Sequence, residues 1–347
     1  MKKCIICNTE KEEDKFNIEH VIPESAGGSF EIDNVCEECN SLLGSMIDNN
    51  FLDNFFVKVY LSKFDIKSKK GKLPKLWPNL PTRKNPKIKG IPQYNPYNNQ
   101  FQGWKYNSAI IELNGSKHLV FDSEEEIDDV LREFSDTELD KDDIREKFYN
   151  ENYLEEHQEL PINWTIKLDD LFFEAIKIAY EFASYVIGDD YLDDSFAVEF
   201  RDILLNSSKY NMEDIDKYFF NFNCEESPFN ETLHSIFLMK VDDSLVVSIN
   251  LFNFVFSIEV SKNLNLVPDN LFGYFLLNNI DGSISEYNVT MDSLKIVELY
   301  NRLKSKHSYK VFIFFIFFKL FVVRFVFSGY ISSMSFRIFN SFIFFQN

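Results

Sequence analysis

Two Cys-x-x-Cys pairs, Cys4/Cys7 and Cys36/Cys39, stand within the first 39 residues of a 347-residue chain, and no other feature restricts its fold as much. Four thiolates in this pattern make the soft, tetrahedral donor set of a closed structural zinc site. Cysteines that merely pack in a core seldom fall into two such pairs. A metal also answers a stability problem, because residues 1–60 are too few to hold together by a hydrophobic core alone. The start Met1-Lys2-Lys3-Cys4 enters the first pair directly and not an apolar run of signal length, so metal-bound thiolates in a reducing cytoplasm are expected over disulfides. Cys224 has no partner in the pattern and reads as a small buried apolar residue.

Around the second pair lie Glu19-His20-Val21-Ile22-Pro23, then Gly27-Gly28, then Asn34-Val35-Cys36, and Asn40 directly after Cys39. An imidazole titrates near neutral pH, so His20 can take the proton of an attacking water. A carboxylate and an amide oxygen are hard donors, so Glu19 with Asn40 favours Mg²⁺ or Mn²⁺ over a second zinc, with water and a substrate phosphate in the remaining positions. Those are the parts that hydrolysis of a phosphodiester requires. Singly, each has a plainer reading: a hydrogen-bonded strand histidine, a solvated carboxylate, or asparagines that cap helices and make turns.

Taken together within the cysteine frame, these residues resemble the HNH endonucleases, in particular their zinc-containing, treble-clef version of the ββα-metal fold. The resemblance covers about the first 55 residues. It implies that His20 is the general base, that Glu19 and Asn40 bind the catalytic metal, and that Asn34 is the middle signature residue, bracing the loop that aims His20. It implies as well that cleavage leaves 5′-phosphate and 3′-hydroxyl ends. Two departures stand out: Glu19 where Asp is commoner, and Asn40 where many members have His.

Hydrophobic periodicity and turn residues organise the rest. Short strands are expected at 17–22 and 32–35, and a helix from about Cys36 through Leu42, Leu43, Met46, Ile47 and Phe51. Residues 61–100 carry Pro74, Pro78, Pro81, Pro86, Pro92 and Pro96 and read as an extended linker. This is also the basic part of an acidic chain: Lys63, Lys67, Lys69, Lys70, Lys72, Lys75, Arg83, Lys84 and Lys87 are opposed only by Asp65. A net charge of −19 and a pI near 4.7 exclude coating of nucleic acid by bulk charge, so any phosphate contact is local. The basic stretch supplies such a contact or is a solvated linker.

Residues 101–308 are expected to form a larger α+β domain for targeting, sensing or contact with a protein partner. Its signals are strand runs flanking Asn114-Gly115, a helix-like run at 123–134 and an amphipathic helix through Leu168, Leu171, Phe172, Ala175, Ile176, Ala179, Tyr180 and Ala183. Strands at 235–241, 245–251 and 254–260, a turn at Asp281-Gly282 and a helix at 293–304 follow. The acidic run 122–159 reads as solvated surface, and His118, His157, His234 and His307 as structural or surface residues. In the Phe- and Ile-rich tail 309–347, Lys319 and Arg324 weigh against a membrane span, leaving a buried terminal element or aberrant coding sequence.

The expected fold class is therefore α+β, with a zinc-bound ββα-metal module at 1–60, a linker at 61–100, an α+β domain at 101–308 and the tail. The expected function is a cytoplasmic, metal-dependent endonuclease acting on DNA, with restriction or phage defence as the analogy from other fused HNH proteins. The alternatives are a nuclease that prefers RNA, and a non-cutting zinc-knuckle adaptor for nucleic acid or protein.

Overall fold

A computed structural model describes residues 1–68, 70–81, 87–95, 101–107, 109–113, 116–120, 162–164, 167–220, 233–252, 254–268, 273–289 and 334–336. They fall into two compact units, Met1–Pro74 with Lys167–Phe327, and Lys75–Ile166 with Ser328–Asn347.

The first unit opens with β1 (Lys2–Lys3) and β2 (Glu10–Lys11), paired antiparallel on either side of the first cysteine pair. The hairpin β3 (Phe16–His20) and β4 (Glu31–Cys36) follows, with Phe16 opposite Cys36, His20 opposite Glu31, and a bulge between Asn17 and Glu19. Cys36 then caps α1 (Glu37–Leu43). The helical backbone widens into a π turn at Gly44–Asp48 and resumes as α2 (Asn49–Asp53). Asn54 interrupts it with extended backbone and caps α3 (Phe55–Lys63), its side chain accepting from the Phe56 N–H. The loop joining β3 to β4 needs its glycines: Gly27 sits at φ +87°, and a Cβ on Gly28 would lie 1.9 Å from the Ile22 carbonyl oxygen.

The second unit contains a three-stranded antiparallel sheet of β5 (Leu80–Pro81), β6 (Lys89–Tyr94) and β7 (Phe101–Tyr106), in that order. A hairpin of β8 (Ala109–Leu113) and β9 (Ser116–Val120) places Leu113 opposite Ser116. The last strand here, β10 (Ile162–Trp164), runs parallel to Met334–Phe336 of the tail. Trp77 and Leu80 are buried against Leu76, Tyr94 and Trp104. The prolines at 61–100 thus do not exclude regular structure, contrary to the linker expectation. Pro92 is accommodated within β6 because β5 reaches only as far as Gly90, leaving one flank of Pro92 without a neighbouring strand among the described residues.

On returning to the first unit the chain forms α4 (Asp169–Ile187), in which every residue from Glu174 to Ser184 is buried. Burial on all sides makes it a central helix and not a surface helix with one wet face. After α5 (Ser195–Leu205) and α6 (Met212–Ile215) comes an antiparallel sheet of β11 (Leu233–Val241), β12 (Ser244–Leu251), β13 (Phe254–Ser261), β14 (Gly273–Asn279) and β15 (Ile284–Val289). Its order is β13-β12-β11-β14-β15, and α4 packs on β11, β12 and β13.

The α+β class is as expected, but the chain does not divide at residue 60. The element that completes the N-terminal hairpin structure, α4, comes from beyond residue 167, and residues 75–166 form an excursion between the two parts. The runs 123–134, 122–159 and 293–304, with Cys224, His157, His307 and all of the tail but Met334–Phe336, lie outside the described residues. Among the described residues no helix is long and apolar enough to cross a membrane.

Candidate functional site

The sulfur atoms of Cys4, Cys7, Cys36 and Cys39 all lie within 4.8 Å of one another. A tetrahedral zinc with Zn–S bonds of about 2.3 Å sets its sulfurs about 3.8 Å apart, and Cys7 Sγ and Cys36 Sγ are separated by 3.9 Å. The donor set and its spacing therefore fit zinc, whereas a disulfide would need sulfurs at about 2 Å. Donors around the cluster suit thiolates: the Cys36 backbone N–H points at Cys4 Sγ (3.3 Å) and Lys11 Nζ at Cys36 Sγ (3.2 Å). The Cys39 thiol, followed by backbone N–H groups, pulls Cys4 down to about 4, while sharing that proton drives Cys39 far upward. Four sulfurs this close suit a shared cation, which binds as the remaining protons leave.

Beside this centre the hairpin and α1 bring three of the expected residues onto neighbouring elements. Asn40, in the second turn of α1, donates from Nδ2 to the Ile18 carbonyl (2.9 Å) and to Asn17 Oδ1 (3.0 Å). Helix and strand are thereby stitched one residue before Glu19-His20. His20 Nε2 lies 3.2 Å from Glu31 Oε1, its neighbour across the hairpin. Asn34 sits elsewhere: its carbonyl accepts from Ile5 N (3.0 Å), tying β4 to the first knuckle. The buried Oδ1 of Asn34 has no hydrogen-bond partner among the described residues, and its side chain makes no bond to the loop before β4.

Glu19 faces inward, with 3 % of its surface exposed, and Oε1 is 2.7 Å from Nζ of the fully buried Lys177 on α4. The same ammonium lies 2.8 Å from Asp48 Oδ1, in the π turn, and 3.3 Å from the His20 carbonyl oxygen. One helical turn to either side of Lys177 stand Glu174 and Glu181, both wholly buried, with Glu174 beside the Asp48 carboxyl. Burial holds both well above the usual carboxylate range, and the Lys177 ammonium opposes it. Burial also pushes Glu19 upward, and the Lys177 ammonium opposes it. Desolvation disfavours the Lys177 charge, but the surrounding carboxyls, Asp48 first, outweigh it and hold the group well above its ordinary value.

Glu31, Asp48 and Lys177 are absent from the sequence reading. The signal for Lys177 was present: charges at 174, 177 and 181 share one face of a helix that is otherwise apolar there.

The loop that precedes β4 is held by the large sheet. Asn278 donates from Nδ2 to the Gly27 carbonyl (2.9 Å) and accepts the Ser29 N–H at Oδ1 (2.7 Å). His234, wholly buried on β11, meets the Ala26 carbonyl at 2.9 Å through Nε2, which must carry the proton. Burial lowers its pKa to about 4. A folded-state pKa below the unfolded value of about 6.5 means stability fully present above pH 6.5 and lost as pH falls toward 4, worth about 3 kcal/mol at 1.36 kcal/mol per unit. Denaturant unfolding from pH 7 to 4 is expected to show a steeper loss in the wild type than in His234→Gln. The difference between the two proteins isolates the imidazole, since thiolates also take up protons in acid; parallel curves would refute the assignment.

Residues 4–56 match the family described as HNH endonuclease. No curated protein and no solved structure matches the chain.

Proposed function

We propose that residues 4–56, completed by α4, form a metal-dependent endonuclease centre that hydrolyses phosphodiester bonds in DNA, with zinc on the four cysteines as a structural ion. The observation that carries this reading is the hydrogen bond from Asn40 Nδ2 to the Ile18 carbonyl, which ties helix to strand within the matched residues, one position before Glu19-His20. Glu19 and Asn40 supply hard oxygen donors for Mg²⁺ or Mn²⁺, and that ion, when bound, stabilises the charge that develops on the phosphate. Glu31 orients the His20 imidazole, which takes the proton of the attacking water. Asn34 acts in the frame, through its backbone bond to Ile5. Thiolate ligands suit a reducing compartment such as the cytoplasm.

The inward Glu19, paired with Lys177, favours the second reading, a zinc-framed adaptor that binds nucleic acid without cutting. Incubation of the purified protein with plasmid DNA in Mg²⁺, Mn²⁺ or EDTA, beside His20→Ala, separates them. Metal-dependent cleavage by the wild type alone is expected. Binding without cleavage would establish the adaptor, and faster loss of labelled RNA than of labelled DNA would reassign the substrate.

A further inference from the structure

We propose that Lys177, outside the matched residues 4–56, is the positioning residue for the metal-binding carboxylate of Glu19. The inference rests on the nuclease reading and names a part of that site which the module itself does not contain. An ammonium has three N–H donors. Among the described residues three oxygens surround it: Glu19 Oε1 at 2.7 Å, Asp48 Oδ1 at 2.8 Å and the His20 carbonyl at 3.3 Å. No donor is left over, so the ammonium is fixed, and it fixes in turn the side chain of one reacting residue and the backbone of the next.

The helix carrying it is itself registered to the zinc frame. Tyr180, one turn further along α4, donates its hydroxyl to the Ile5 carbonyl between Cys4 and Cys7. At the start of the same segment, Asn54 Nδ2 donates to the Lys167 carbonyl at 2.8 Å. A glutamate has one more rotatable bond than an aspartate, and an unrestrained Glu19 would spread its carboxylate over several rotamers. Lys177 removes that freedom by holding Oε1, one of the two carboxylate oxygens, at 2.7 Å. Partners that orient a metal ligand in this way typically contribute about 10- to 100-fold in metal affinity.

The test is the affinity of the full-length, zinc-loaded chain for Mn²⁺, measured without substrate by the loss of the free-ion electron paramagnetic resonance signal, beside the Mn²⁺ concentration that gives half-maximal plasmid cleavage. Lys177→Met is expected to weaken that affinity, and to raise that concentration, about 10- to 100-fold, with cleavage recovering at high Mn²⁺, and Lys177→Arg to recover most of the loss. Because Lys177→Met leaves buried acids without their cation, the deciding variant is Lys177→Met/Asp48→Asn, which removes one charge of each sign. Asp48→Asn alone keeps the Lys177–Glu19 pair and an oxygen for the ammonium, so it is the reference against which the double variant is read. The proposal is overturned if the double variant, with its zinc and its circular dichroism intact, binds Mn²⁺ as tightly as Asp48→Asn and cleaves at the Mn²⁺ concentration that suffices for it. A wild type that cleaves nothing in any metal would instead refute the nuclease reading, and this inference with it.

Discussion

Stripping the metal from the four-cysteine centre is expected to unfold β1 to α1 and to lower the stability of the whole unit built on Met1–Pro74 and Lys167–Phe327. The strands β1 and β2 are two residues long, and the chain between them turns on Cys4 and Cys7. Such segments have too little apolar area to offset the conformational entropy of ordering them. Apparent zinc-binding free energies of about 10–16 kcal/mol in zinc-finger peptides set the scale of what a tetrathiolate site contributes to folding. The loss spreads because Tyr180 bonds to Ile5, and Lys177 loses both Glu19 and the His20 carbonyl when the hairpin leaves. Elemental analysis should find one zinc per chain. Chelation, or Cys39→Ser, should lower the melting temperature of a single cooperative transition, with no separate early melting of the module. A protein that contains no zinc and melts unchanged in the presence of a chelator would refute the structural role of the cluster.

The cysteine centre was legible because its chemistry is local: two short spacings and one ligand type determine it. The strands β11 to β13 were legible for a similar reason, since runs of β-branched and aromatic residues mark them within windows of eight or nine residues. The helix α4 shows where such reading stops. Its period is visible and its apolar positions predict a core helix, but nothing local shows what neutralises the charged residues at 174, 177 and 181. The answer lies 157 positions away in the chain, at His20 and its neighbour Glu19, and only tertiary packing brings the two together. Glu31 was hidden differently: its register opposite His20 depends on the bulge between Asn17 and Glu19, which no spacing rule announces. The proline-rich stretch misled because proline was read as excluding strands, when it excludes only the paired flank of one.

Replacing His20 with alanine is expected to reduce DNA cleavage by about a hundredfold to ten-thousandfold, the range over which a positioned general base contributes. Zinc content and the unfolding transition should not move, since the His20 side chain is not a ligand of the cysteine centre and Lys177 contacts the His20 backbone and not its ring. If His20 is the base, its contact with Glu31 selects the ring nitrogen that accepts the proton. Nε2 faces Glu31 Oε1 at 3.2 Å and so carries its proton toward a carboxylate, leaving Nδ1 as the acceptor for the proton of a water. Glu31 is half exposed, so its Coulombic contribution is screened and its main effect is to select that tautomer and hold the ring. Glu31→Gln keeps an oxygen acceptor for the Nε2 proton and should lose little activity. Glu31→Ala frees the ring and should lose more, though less than His20→Ala. Initial rates of plasmid cleavage at saturating Mn²⁺ give the order directly. If His20→Ala cleaved as fast as the wild type, or if Glu31→Ala lost as much as His20→Ala while folding normally, the imidazole would not be the base and the proton would have to leave by another group.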